Sequence, residues 1–258
     1  MRPHPATTPT PIRRRLLLTI SVLGLLFILG LIFQPQLSVA RSWVRQQVTR
    51  ELTVEDRIRE FGPPVAKRLA PYFKKAGAPY PPHALTLIGL KQEQSLEVYA
   101  PLRGDWRFIR SYRILAASGT MGPKLREGDL QVPEGIYRID SLNPNSLYHL
   151  SLRVSYPNDA DHARAKTEGR TNLGGDIMIH GNRVSIGCLA MGDEAAEDLF
   201  VLAALVGIEN VRVILSPVDF RSAKAPAPPS SAPAWTQTLW AAIQKELSNY
   251  PKPTIPRK

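Results

Sequence analysis

The chain has 258 residues, 43% hydrophobic and 7% aromatic, with a single cysteine. That composition excludes a disordered chain and a disulfide-built one, and leaves enough apolar material for one sizeable core. A formal charge of +11 favours an anionic partner, without choosing between nucleic acid, phospholipid headgroups and an acidic polymer.

The N-terminus makes that choice. Residues 1–15 are rich in Pro and Thr and end in Arg13, Arg14 and Arg15. Residues 16–33 are an apolar run broken only by Thr19, Ser21 and glycines, close to the roughly 20 residues needed to span a bilayer. The preceding arginines keep residues 1–15 cytoplasmic and direct the rest of the chain to export, so the expected location is the inner membrane, with one N-terminal span and a periplasmic body. Ser38, Val39 and Ala40 offer small residues at signal-cleavage spacing, and cleavage would release the body to the periplasm. Nucleic acid is thereby excluded as a partner. An unpaired thiol in an exported protein is exposed to oxidation, which favours a chemical role for Cys188 over a structural one.

Residues 34–82 read as a juxtamembrane helical region. Val44, Val48 and Leu52 recur at helical spacing, and a second helix over 65–77 is opened by Gly62-Pro63-Pro64, interrupted by Pro71 and closed by Gly77. Pro79 to Pro82 mark a boundary to a domain over 83–216. Residues 85–90, 95–101 and 106–117 form a predicted meander, and 119–134 a long loop carrying Lys124 and Arg126. The alternation of Leu150, Leu152, Val154 and Tyr156 with polar residues is a strand, and 158–171 is a polar loop or short helix. A final strand is expected over 211–215. Residues 217–233 read as a Pro/Ala/Ser linker, and Trp235, Leu239, Ala242, Ile243 and Leu247 as the stripe of a C-terminal amphipathic helix docked on the domain.

The chemistry concentrates between Asp176 and Phe200. Ile177 and Ile179 alternate with Met178 and His180, a half-buried strand carrying His180 to its end. Residues 182–187 form a turn or short strand, and Asp193 caps a helix closed by Gly207. Cys188 therefore sits on a connection into a helix, where a nearby imidazole can take the thiol proton and the amides of Gly187, Cys188 and Leu189 can face an oxyanion. Gly181 and Gly187 suit sharp turns, and Asp176 shares strand parity with His180. Ser185 as nucleophile fails, because the elbow needs glycine where Arg183 stands. No metal site is expected, since no histidines have ligand spacing and no Cys cluster exists, and no cofactor-binding glycine loop is present.

The stretch HGNRVSIGCLAM resembles the active-site signature of the L,D-transpeptidase (YkuD-like) family, in the short form of its YafK-like branch. PKLREGDLQVPEGIY at 123–137, SLRVSYPNDAD at 151–161 and GGDIMIHG at 174–181 support the resemblance, which spans residues 85–215. It implies a mainly β, α+β fold with flanking helices around a β-sandwich catalytic domain, Cys188 as nucleophile, His180 as base and peptidoglycan stem peptides as partner and substrate. Gly187, Gly181 and Leu189 become the oxyanion and turn residues, and Ser185, Asn182, Arg183 and Lys124 the substrate-binding candidates. Ile186 and Ala190 stand where many members carry a second histidine and an arginine. The expected function is thus a cysteine acyltransferase acting on stem tetrapeptides through a thioester. The alternatives are a thiol amidase releasing protein or peptide from peptidoglycan, and a non-catalytic membrane-anchored wall binder.

Overall fold

The computed structural model describes residues 51–222 and 226–253. The expected cytoplasmic tail, the apolar run 16–33, the cleavage spacing at 38–40 and the juxtamembrane region through residue 50 lie outside the described residues. Among the described residues, no helix is long and apolar enough to cross a membrane.

The first element is helix α1, Val54–Ala76. Thr53 accepts from the Asp56 N–H and Asp56 returns a bond to the Thr53 N–H, while Gly77 closes the far end at φ 71. One helix thus runs where two were expected, passing through Pro63, Pro64 and Pro71. Each proline removes one internal bond, and burial of Val65, Leu69 and Phe73 compensates.

The strands are β1 (Leu85–Leu90), β2 (Ser95–Leu102), β3 (Asp105–Arg113), β4 (Gly135–Asn143), β5 (Ser151–Val154), β6 (Met178–His180), β7 (Leu189–Ala190) and β8 (Val211–Ser216). They form one eight-stranded mixed sheet in the order β3-β2-β1-β8-β4-β5-β6-β7. This replaces the expected sandwich. The chain returns after β7 to insert β8 parallel to β1 and antiparallel to β4, so the meander and the site-bearing strands become two ends of one sheet. β4 had no counterpart among the predicted strands, although Tyr137 and Ile139 alternate inward against exposed Arg138 and Asp140.

Helices α2 (Asp159–Thr167), α3 (Asp193–Val206) and α4 (Thr236–Leu247) complete the fold. β1 is buried on both faces, and its alternation divides two cores. Leu85 and Leu87 join the larger core with α1 and α3, whereas Ile88 and Leu90 join the smaller one with α4. Burying Leu239, Ile243 and Leu247 of α4 is worth roughly 1.5–3 kcal/mol per side chain in transfer free energy, so α4 docks as expected. The predicted linker docks as well at its start. Val218 and Phe220 are buried, and Arg221 bonds Glu97 and Asp219 at 2.8 and 2.7 Å.

Two buried carboxylates anchor the loop 119–134 and helix α3. Glu134 accepts from Lys91 Nζ (2.9 Å), the Gly122 N–H (2.8 Å) and Trp240 Nε1 (2.7 Å), joining loop, sheet and α4. Asp198 accepts from Arg68, Arg110 and the Tyr112 hydroxyl, joining α1, β3 and α3.

Candidate active site

Strands β6 and β7 are parallel neighbours, with Ile179 opposite Leu189 and His180 opposite Ala190. Side chains alternate along a strand, so Cys188, one residue before β7 and two before Ala190, falls on the same face as His180. Both line one cavity of about 670 Å³, with Tyr148, Met178, Ile186 and Gly187 among its walls. The alternation that predicted a strand end at His180 is what delivers the imidazole there.

His180 is 2% exposed. Its Nδ1 lies 2.6 Å from the Gly181 carbonyl, an acceptor only, so the neutral ring carries its proton on Nδ1 and keeps the Nε2 lone pair. Burial pushes the imidazole below its ordinary value, with the Gly181 bond working in the opposite direction. The Tyr148 ring lies over it, centroids 4.7 Å apart. Burial pushes the Cys188 thiol up; the Met178 N–H opposes this at 3.4 Å, the Asp176 charge adds to it, and Lys124 opposes it. The thiol donates to the Asp176 carbonyl at 3.5 Å. Both shifts favour a neutral thiol and a neutral imidazole at rest.

The remaining predicted site residues divide by position. Lys124 lines the cavity, but its ammonium is held by Asp129 (2.6 Å) and the Arg126 carbonyl (2.9 Å). Asp129 also takes the N–H groups of Leu125, Arg126 and Gln131, and these bonds outweigh burial to hold its carboxyl below the usual range. Ser185 does not line the cavity. Its hydroxyl donates to the Cys188 carbonyl (2.5 Å) and accepts the Cys188 N–H (3.0 Å), closing the turn on itself. That engages an amide expected to face the oxyanion.

Gly181 also differs, because its N–H goes to the Leu150 carbonyl at 3.2 Å. Leu189 is buried in the core at 1% exposure. Gly187, at φ 109, lines the cavity and remains the turn's candidate donor. Asn182 is a turn residue at φ 61. Its N–H donates to Asp193 Oδ1 (2.7 Å), so Asp193 serves this turn while Gly192 occupies the helix cap. Arg183 is exposed and forms no part of the cavity wall. Asp176 does not orient His180; its carboxylate lies 3.4 Å from Arg153.

Sequence reasoning missed three contributors: the Gly181 carbonyl, the Met178 N–H and Tyr148. Two are backbone groups without a residue-type signal. Tyr148 is 32 residues from His180 and reaches it only through the β5–β6 pairing.

Residues 88–213 match the model of the YkuD family, the L,D-transpeptidase catalytic domain. The segment belongs to that family. YafK of Escherichia coli (strain K12) is 37% identical to this chain over 132 residues, which are 49% of this chain and 51% of that protein. The chain therefore spans about half the length of the curated relatives it matches. Among solved structures, the helical cell shape determining protein Pgp2 from Campylobacter jejuni is similar at 28% identity and a TM-score of 0.42, over 52% of this chain and 48% of that one. Bd1075 of Bdellovibrio bacteriovorus is similar at 17% identity and a TM-score of 0.39, over 64% and 54%. The YkuD segment contains β4, β5, β6 and β7 and the whole of the cavity wall, while α1 and α4 lie outside it.

Proposed function

We propose that this chain is a cysteine acyltransferase acting on peptidoglycan stem tetrapeptides. The observation that carries the reading is the placement of Cys188 and His180 on one face of paired strands, both opening into one cavity. His180 Nε2 takes the thiol proton as sulfur attacks the carbonyl of a stem-peptide residue, and the proton passes to the departing amine. The Gly187 N–H supports the oxyanion. An incoming amine or water then opens the thioester. The apolar run 16–33 anchors the chain in the inner membrane, or is cleaved, and the basic body faces the anionic wall.

A second reading, a thiol amidase that releases stem-linked protein or peptide, is favoured by Ile186. This residue, 78% exposed on the cavity wall, stands where many members of the family carry a second histidine. Incubation of the protein with tetrapeptide muropeptides separates the two. New peptide-linked dimers support transfer, release of a peptide from a muropeptide that carries one on its stem supports the amidase, and no reaction with either substrate rejects both readings. A non-catalytic wall binder predicts that Cys188→Ala and His180→Ala complement a deletion strain fully.

A further inference from the structure

Helix α1 lies outside the YkuD segment, yet one strip of it contacts residues that flank the wall of the cavity. Just before the helix, the Leu52 N–H donates to Asn145 Oδ1 (3.0 Å) and Asn145 Nδ2 donates back to the Leu52 carbonyl (2.8 Å). Arg57 Nε donates to the Pro144 carbonyl at 2.8 Å. The Phe61 ring stands edge-on to the His149 ring, centroids 5.3 Å apart. Arg68 bonds one oxygen of Glu197 at 2.9 Å, and the other lies 3.1 Å from His149 Nε2. Arg57, Phe61 and Arg68 are four and seven residues apart, which places them on one helix face.

All of these contacts converge on residues 144–149. That segment supplies Ser146, Leu147 and Tyr148 to the cavity wall, and the Tyr148 ring covers His180. His149 holds φ 75, a backbone state that L residues rarely adopt and that neighbouring contacts must sustain. The segment also presses on the turn that fixes the imidazole. A Cβ on Gly181 would meet the Tyr148 carbonyl at 2.6 Å and His149 Cβ at 3.0 Å. Displacement of 144–149 therefore moves both the ring over His180 and the carbonyl that holds its Nδ1.

We infer that α1 is a positioning element for the catalytic base: it clamps residues 144–149, and through Tyr148 and Gly181 it sets the orientation of His180. This rests on the proposed function above. It makes the reaction depend on a helix that the catalytic family's own segment does not contain, and that directly succeeds the N-terminal region.

The test uses the full chain carrying Arg57→Ala and Phe61→Ala together. The kcat on tetrapeptide muropeptides is expected to fall about 10- to 100-fold, with KM changed less than about threefold, as for a displaced catalytic group. The NMR titration of the His180 ring should shift toward that of a solvated imidazole. Phe61→Tyr, which retains the ring edge, should keep wild-type kcat, and so should Lys67→Ala on the exposed side of α1. Unchanged kcat and an unchanged His180 titration in the double variant would overturn the inference, as would an activity loss explained wholly by the unfolded fraction at the assay temperature. If the wild-type chain processes no muropeptide, the proposed function fails, and the His180 titration alone still decides whether α1 positions the ring.

Discussion

Replacement of Ser185 by alanine separates a substrate-binding serine from a turn-closing one. The hydroxyl takes the Cys188 N–H at 3.0 Å and gives its own proton to the Cys188 carbonyl at 2.5 Å, so alanine leaves both backbone groups of the nucleophile without their partner. Each such bond contributes about 0.5–1.5 kcal/mol net, and water can reach this half-buried turn, so the loss should be about 1–2 kcal/mol. For a domain of this size that corresponds to a fall in melting temperature of about 2–8 °C. The sulfur then loses its fixed approach, and kcat should fall about tenfold or more with KM nearly unchanged, since the hydroxyl faces no part of the cavity. Paired thermal melts and steady-state kinetics with Ser185→Ala and Ser185→Thr read both quantities. A raised KM at wild-type stability would refute the reasoning and restore Ser185 as a substrate contact. Increased kcat would show that the Cys188 amide, once freed, serves the oxyanion.

The titrations give further outcomes. A basic group whose folded pKa lies below its unfolded value favours the unfolded state when it protonates, so the His180 contribution to stability is complete above the ordinary imidazole value near 6.5 and is lost as pH falls below it. The acid limb of kcat/KM should accordingly lie below 6.5, and a limb at or above 6.5 would contradict a buried base. Alkylation of Cys188 by iodoacetamide should have its midpoint above that of a free thiol, about 8.5, and Asp176→Asn should lower that midpoint by removing a charge that disfavours the thiolate. Gly181→Ala forces a Cβ to within 2.6 Å of the Tyr148 carbonyl. Overpacking of this kind costs about 1–3 kcal/mol, measurable by urea denaturation, and activity should fall further than stability. Asp198→Ala leaves Arg68 and Arg110 without their buried carboxylate and should cost about 3 kcal/mol by the same method, the low end for a broken buried pair because both guanidiniums are partly exposed.

Local pattern revealed those elements whose local and tertiary preferences agree. The short apolar runs of β1, β2 and β8 and the 3.6-period stripe of α4 are each backed by burial, on both faces in β1. The His180 strand and the Cys188 turn were legible for the same reason, since alternation and two glycines fix a strand end and a bend. The hidden features depend on pairings distant in sequence. β4 is amphipathic but short of β-branched residues, and it is held by β8, which lies far along the chain beyond α3. The passage of α1 through three prolines contradicts its local signal, because packing of Val65, Leu69 and Phe73 outweighs the lost bonds. The role of Ser185 was hidden because a hydroxyl near a nucleophile looks the same in sequence whether it faces the substrate or its own backbone.

Mass spectrometry of the intact protein after exposure to a carbapenem, with subsequent peptide mapping, tests the central chemistry most directly. A covalent acyl adduct should form on Cys188 of the wild-type chain, form far more slowly in His180→Ala, and be absent from Cys188→Ala. An unlabelled wild-type thiol in folded protein, or labelling at the same rate without His180, would contradict acyl transfer through this pair.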